Sequence, residues 1–443
     1  MTTTTQLLYK IQTGGVLQGI IQVPGDKSIS HRAVMLSAIA SGTSHIKGFL
    51  SGADCLATLA AFRAMGVNIE SPQHDQLIIH GVGLEGLKAP TFELDLGNAG
   101  TAIRLLAGVL VGQSFISVVT GDDSLKQRPM ARILNPLRQM GAQIEAAKDD
   151  KPPLTIHGNQ SLKGITYHLP IASAQVKSCL LLAGLYAHGE MVIKEPVTSR
   201  DHTERMLRAF NCPITRVDDV LHLSAPKKLQ ATSILVPGDI SSAAFFLVGA
   251  IIARNSHLVL TNVGINPTRD GIITILKQMG ANISILRQHY VNEESVADIE
   301  VKSSSLTGIT IDPKLVPLAI DEFPAVFIAA AYAKGKTVLR GAQELRVKES
   351  DRIRTMAEGL SKLGIDVTEY TDGIMIEGGK LTGGSVNSYG DHRVAMAFAV
   401  AGLGTQSEIK VANCDNVSTS FPNFVELAHN AGLKIVEERV NAE

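Results

Sequence analysis

The chain has 443 residues, 45% of them hydrophobic, and its 41 Lys and Arg nearly balance 42 Asp and Glu. That length accommodates two to four domains with ample core, and a formal charge of −1 argues against a dedicated nucleic-acid binder, which carries a basic excess. Four scattered cysteines form no CxxC or zinc spacing, the longest apolar run (Ala243–Ala253) falls short of a membrane span of about 18 residues, and the start lacks the regions of a secretory signal, so a reduced, cytoplasmic α/β protein off the membrane is expected.

In chain order the elements repeat. An apolar helix with a polar start is predicted six times, at DKSISHRAVMLSAIA, GNAGTAIRLLAGVL, SAQVKSCLLLAG, DISSAAFFLVGAIIA, DEFPAVFIAAAYA and DHRVAMAFAVAG. Each is apolar nearly all round, the pattern of a buried helix. A short strand such as FISVV or TVLRG usually follows. A second helix then ends and leads into another strand, in FRAMGVNIE, LRQMGAQIE, LRAFNCPIT, LKQMGANIS, LSKLGIDVT and LAHNAGLKI. Gly66, Gly141, Asn211, Gly280, Gly364 and Gly432 occupy the equivalent position, where Gly or Asn suits the left-handed residue just past a helix end. A period of about 70 residues therefore holds two helices and several strands.

The six units group as three plus three. LQGIIQVPGD, ending at Asp26, resembles LQATSILVPGD, ending at Asp239. Two similar domains are expected, 23–238 and 239–443, with residues 1–22 added to the second as an extra strand.

Polar residues at the starts of buried helices are the ones to inspect, because unpaired N–H groups and the helix dipole attract anions there. The first opening offers Lys27, Ser28 and Arg32. The second offers Asn98, Thr101 and Arg104, with Gly97 and Gly100 permitting close backbone approach. The third offers Ser173, Gln175 and Lys177, the last His392 and Arg393, and the fifth two carboxylates, Asp321 and Glu322. Ser, Asp and Asn at such places are most simply caps. Cations in a first turn oppose the dipole, so Lys27, Arg32 and Arg393 point to bound anions. Beyond the helix starts, LKQRPM carries Lys126 and Arg128, and LRVKESDRIR carries Arg346, Lys348, Glu349, Arg352 and Arg354. A helix there would put Lys348 and Arg352, four apart, on one face beside Glu349, an arrangement suited to a phosphorylated acid that needs a proton donor.

Two apparent motifs are set aside. GVGLEG at Gly81–Gly86 is followed by Pro90 rather than a helix, and GDKS at Gly25–Ser28 lacks the rest of a P-loop. His31 and His392 are read as supporting donors rather than metal ligands.

Ten strings in order, PGDKSISHRA, LGNAGTAIRLL, RPM, SAQVKS, RDHTE, NPTR, IDEFP, LRVKESDR, GDHRVAM and SFP, span residues 24 to 422. Together they resemble the EPSP synthase (3-phosphoshikimate 1-carboxyvinyltransferase) family of enolpyruvyl transferases. The resemblance implies an α/β fold of two similar domains, each of three βαβαββ repeats, with the active site in the interdomain cleft. It implies transfer of the enolpyruvyl group of phosphoenolpyruvate to the 5-hydroxyl of shikimate-3-phosphate, in the shikimate pathway to aromatic amino acids. No cofactor and no metal are implied, and a monomer is expected. By motif, Lys27, Ser28, Arg32, Ser173, Ala174, Gln175, Asp321 and Lys348 match contacts to shikimate-3-phosphate. Lys27, Gly100, Arg128, Gln175, Arg352 and Arg393 match contacts to phosphoenolpyruvate. Asp321 is the candidate base for the hydroxyl and Glu349 the candidate acid at the methylene, with Lys27 assisting. Either carboxylate can serve either role, depending on its surroundings. The family is often inhibited by glyphosate.

This sequence has Leu105 where one branch of the family has Pro, and Thr419 where that branch has Lys, so it resembles the other branch. A transferase acting on UDP-N-acetylglucosamine would carry a Cys in the loop that here reads TGDDSLKQRPM. RNA 3′-phosphate cyclases share the repeat but would show a basic stripe. A non-catalytic binding protein would not need both Asp321 and Glu349.

Overall fold

The computed structural model describes residues 5–441. The chain divides into two compact units. One comprises the chain up to Pro24, Pro237–His289 and the chain from Ser295 onward; the other comprises Gly25–Val236 together with Tyr290–Glu294. The chain passes from one unit to the other at each PGD tripeptide. The short segment Tyr290–Glu294 groups with the Gly25–Val236 unit, which no local sequence signal foretold.

The Gly25–Val236 unit contains six helices: α1 (Lys27–Ala38), α2 (Ala53–Ala64), α3 (Gly100–Leu110), α4 (Ala131–Gln139), α5 (Ala174–Gly184) and α6 (His202–Ala209). The other unit contains α7 (Ile240–Ile252), α8 (Gly271–Gln278), α9 (Phe323–Ala331), α10 (Arg352–Lys362), α11 (His392–Ala401) and α12 (Phe424–Ala431). The odd-numbered helices are the apolar ones. Every residue of α9 is buried, as is all of α7 but Ile252. They form the centre of two separate hydrophobic cores, one per unit. The even-numbered helices end in a residue of positive φ, from 61° at Asn211 to 115° at Gly432, as the repeated Gly or Asn required.

Among the described residues the strands form six small sheets. Around α3 and α4, Leu94–Asp95 runs parallel to Ser117–Thr120; antiparallel strands Lys151–Ile156 and Ile144–Ala147 complete the sheet. Thr166–His168, Glu190–Lys194, Val220–Ser224 and Ile214–Val217 repeat that order around α5 and α6. Around α1 and α2 the first strand is supplied from far along the chain, since Ile234–Leu235 pairs in parallel with Ser41–Lys47. Reciprocally, Gln18–Ile21 pairs in parallel with His257–Gly264. Thr5–Gly15 lies between Ile409–Ala412 and Leu433–Asn441.

Short parallel strands thus precede α1, α3, α5, α7 and α11, whereas a 3₁₀ turn, Pro313–Leu315, precedes α9. Asp26, Ser173, Asp239 and Asp391 cap α1, α5, α7 and α11 by accepting backbone N–H bonds. One expectation is corrected. Lys348 and Arg352 do not share a helix: Gln343–Val347 is a 3₁₀ turn, and α10 starts only at Arg352. Asp351 ends the irregular stretch by capping the Arg354 N–H at 3.1 Å, so a local side-chain bond competes with helix continuation.

Candidate active site

In the Gly25–Val236 unit, the starts of α1, α3 and α5 each present functional side chains. Lys27, the first residue of α1, remains partly exposed and forms an ion pair with Asp54 at the start of α2. Arg32, one turn further, is buried and reaches three neutral oxygens. Its Nε donates to Thr203 Oγ1 at 2.6 Å, Nη1 to the Ser28 carbonyl at 2.9 Å and Nη2 to Ser178 Oγ at 2.8 Å. Burial lowers its pKa to about 10, more than Glu204 and Asp26 restore at longer range, so it still carries its proton at neutral pH. His31 between them is fully buried. Burial first, then Lys27 and Arg32, push its pKa well below the usual imidazole value, which makes it neutral. Its Nδ1 meets Thr58 Oγ1 at 2.7 Å.

A second group joins α3 to α5 and to the RPM loop. Arg128 folds back onto Asn98, with Nη2 2.5 Å from Asn98 Oδ1. Gly100 lies against it: a Cβ there would stand 2.7 Å from Arg128 Nη1 and 3.2 Å from Arg104 Nη1. Arg104 Nη1 donates to Gln175 Oε1 at 2.9 Å, and Gln175 Nε2 donates to Thr101 Oγ1 at 3.1 Å. Ser173 caps α5 and Ala174 is its first residue, so both stand beside Gln175. Lys177 departs from its expected place. It is turned inward and fully buried, with Nζ 3.0 Å from Glu195 Oε2 and 2.7 Å from Glu204 Oε1. It holds the fold rather than a ligand.

In the other unit, six charged residues converge despite the broken helix: Asp321, Lys348, Glu349, Arg352, Asp391 and Arg393. Asp321 Oδ1 lies 3.4 Å from Arg352 Nη1 and 3.6 Å from Lys348 Nζ. Arg352 Nη2 donates to Glu349 Oε2 at 2.6 Å, and its Nε donates to Asp391 Oδ2 at 2.8 Å. Arg393 Nη1 donates to the Asp321 carbonyl at 3.2 Å. Arg352 is 1% exposed. Burial alone would lower its pKa, but Asp391, Glu349 and Asp321 outweigh burial and hold it above the ordinary arginine value.

Not every charged residue in these stretches belongs to the group. Arg346 turns to Asp351 and Glu369, and Arg354 to Glu358. Glu322 is buried against Ser241 and Arg269. Thr419 donates to the Asn416 carbonyl inside its own 3₁₀ turn. Asp54, Ser178 and Thr203 were not singled out from sequence, and Asp391 was marked only as the start of a helix. The last three lie within the strings SAQVKS, RDHTE and GDHRVAM, but nothing local marks them as partners of distant arginines. No cluster of His, Cys, Asp and Glu suited to a metal ion occurs among the described residues, and none of their helices is long and apolar enough to cross a membrane. A cavity of about 650 Å³ lined by Tyr9, Asp415, Phe421 and His429 includes none of the candidate site residues.

Cations and carboxylates held at the starts of buried helices in a repeating α/β fold define a class of protein that handles small polyanions. The fold is also that of the enolpyruvyl transferase NikO from Streptomyces tendae, at 16% identity and a TM-score of 0.81, over 99% of this chain and 100% of that one; at that identity the likeness concerns fold alone. The sequence profile of EPSP synthase (3-phosphoshikimate 1-carboxyvinyltransferase) matches residues 11–427. A 3-phosphoshikimate 1-carboxyvinyltransferase of Methylococcus capsulatus is 57% identical over 429 residues, covering 97% of this chain and 98% of the relative. One from Hydrogenovibrio crunogenus is 54% identical over 439 residues, covering 98% and 99%. The solved EPSP synthase of Acinetobacter baumannii is 54% identical with a TM-score of 0.89, covering 98% of this chain and all of that one. The chain belongs to the EPSP synthase family, and it has the α/β fold typical of that family.

Proposed function

We propose that the residue groups described above serve one reaction, the transfer of an enolpyruvyl group. The enzyme is a transferase that moves the enolpyruvyl group of phosphoenolpyruvate to shikimate-3-phosphate in the shikimate pathway. Lys27, Ser28, Arg32, Ser173, Ala174, Gln175, Asp321 and Lys348 bind shikimate-3-phosphate in this reading. Lys27, Gly100, Arg128, Gln175, Arg352 and Arg393 bind phosphoenolpyruvate. Both units, each built of three βαβαββ repeats, contribute residues to the one reaction.

The 5-hydroxyl oxygen adds to C2 of phosphoenolpyruvate while its proton passes to a base and C3 gains a proton. Phosphate then leaves with C–O cleavage, and loss of a proton from C3 restores the double bond. Asp321 accepts from the hydroxyl, Glu349 delivers to C3, and Lys27 supports charge and proton movement. The observation that carries this reading is the convergence of Asp321, Lys348, Glu349 and Arg352 across a break in regular structure. Two carboxylates share one arginine, so acid and base are held at fixed separation around a cation suited to a planar carboxylate or phosphate.

Phosphate release measured with each substrate alone and with both tests the reaction. Release only when phosphoenolpyruvate and shikimate-3-phosphate are both present is expected. Release from phosphoenolpyruvate alone at the same rate would overturn it.

A further inference from the structure

The two most deeply buried arginines of these groups are held in opposite ways. Arg352 is surrounded by carboxylates, so its charge is already balanced within the fold. Arg32 is 4% exposed, and its three hydrogen-bond partners are neutral: the Thr203 hydroxyl, the Ser178 hydroxyl and the Ser28 carbonyl. The two hydroxyls are themselves linked. Thr203 Oγ1 accepts from Arg32 Nε and donates to Ser178 Oγ at 2.7 Å, and Ser178 Oγ also accepts from Arg32 Nη2. Both hydroxyls are buried, Ser178 fully, and each is fixed on a different helix, α5 or α6. A guanidinium has five N–H donors in a rigid plane, and three are engaged here. The ring of contacts fixes the plane and leaves the charge without a partner of opposite sign in direct contact.

We propose that Ser178 and Thr203 are positioning residues that hold Arg32 with neutral oxygens, so that its buried charge is kept for an anionic group of shikimate-3-phosphate. A buried cation without a paired anion raises the energy of the empty protein, and an arriving anion relieves that cost on binding. A carboxylate at either position would fix the arginine equally well but would neutralise it beforehand. The lowered Arg32 pKa, with burial as its largest cause, agrees with a charge that the fold has not balanced. The inference rests on the assignment of Arg32 to shikimate-3-phosphate made above.

The test compares Thr203→Val, Thr203→Ser, Ser178→Ala and Arg32→Met in the full chain by calorimetric Kd for shikimate-3-phosphate, KM for phosphoenolpyruvate, kcat and Tm. Hydrogen bonds to a charged group are strong enough that Thr203→Val and Ser178→Ala should each weaken shikimate-3-phosphate about 10- to 100-fold. The KM for phosphoenolpyruvate should change less than about threefold, and Thr203→Ser should restore the Kd. Ser178→Asp should weaken shikimate-3-phosphate while Tm holds or rises, a combination that a packing defect does not produce. If Arg32→Met leaves the Kd within about threefold, the assignment of Arg32 itself is overturned. If Arg32→Met weakens binding but Thr203→Val and Ser178→Ala do not, only the positioning proposal is overturned.

Discussion

Arg352 Nε donates to Asp391 Oδ2 at 2.8 Å, while Asp391 Oδ1 accepts the Arg393 backbone N–H at 2.9 Å and so caps α11. One buried carboxylate thus orients the arginine and starts the helix that carries Arg393. The two functions can be separated, because Asn is a good cap but carries no charge. Asp391→Asn should destabilise the protein by about 3–5 kcal/mol through the uncompensated charge, at the low end because Glu349 and Asp321 remain. Asp391→Ala should cost about 1 kcal/mol more for the lost cap. Urea unfolding of both variants checks this; equal losses would show that capping contributes nothing there.

Asp321 stands between Arg352 and Lys348 and is the proposed base. Asp321→Asn should lower kcat by about 10²–10⁴ while shikimate-3-phosphate still binds. Steady-state kinetics with calorimetric binding decide it, and a kcat within about threefold of the natural enzyme removes Asp321 from that role.

At Gly100 the obstacle to a side chain is the end of Arg128, 2.7 Å from where a Cβ would stand. Arg128 must move away from Asn98 to admit a methyl. Overpacking costs about 1–3 kcal/mol, or roughly 5- to 150-fold in affinity. Glyphosate is longer than phosphoenolpyruvate. Gly100→Ala is therefore expected to raise the glyphosate Ki well above the change in KM for phosphoenolpyruvate. Equal shifts would show that the methyl acts only through Arg128 and does not discriminate.

Lys177 is buried with Glu195 and Glu204, and Arg216 Nη2 adds a bond to Glu195 at 2.8 Å. Burial alone would raise the Glu195 pKa, but Lys177, Ser199 and Arg216 outweigh it and hold it below the ordinary 4.5. A carboxylate that titrates lower in the folded state contributes fully above the unfolded value and loses that contribution as pH falls through the folded one. Lys177→Met should cost about 3–5 kcal/mol at pH 7, because it leaves buried carboxylates short of a cation. It should also flatten the loss of stability that urea unfolding measures as pH falls below the ordinary carboxylate value of 4.5. An unchanged acid slope would mean that Lys177 does not set the Glu195 titration.

The sequence by itself determined the local features of this protein. Apolar pattern marked the six buried helices, Gly or Asn marked where their partners stop, and Asp26, Ser173, Asp239 and Asp391 marked where helices start, because each signal acts within a turn or two of backbone. The order of ten strings carried the family. Tertiary structure alone decided which charges face inward. Lys27 and Lys177 both lie in the first turn of an apolar helix, yet the first remains partly exposed beside Asp54 and the second is enclosed by Glu195 and Glu204. Lys348 and Arg352 converge on Asp321 without the helix their spacing suggested, while Arg346 and Arg354, in the same stretch, turn elsewhere. Arg32 finds Ser178 and Thr203 on helices distant in the chain. Such pairings depend on how the helices pack around each core, and a hydrogen bond formed by that packing leaves no periodicity along the chain from which to read it.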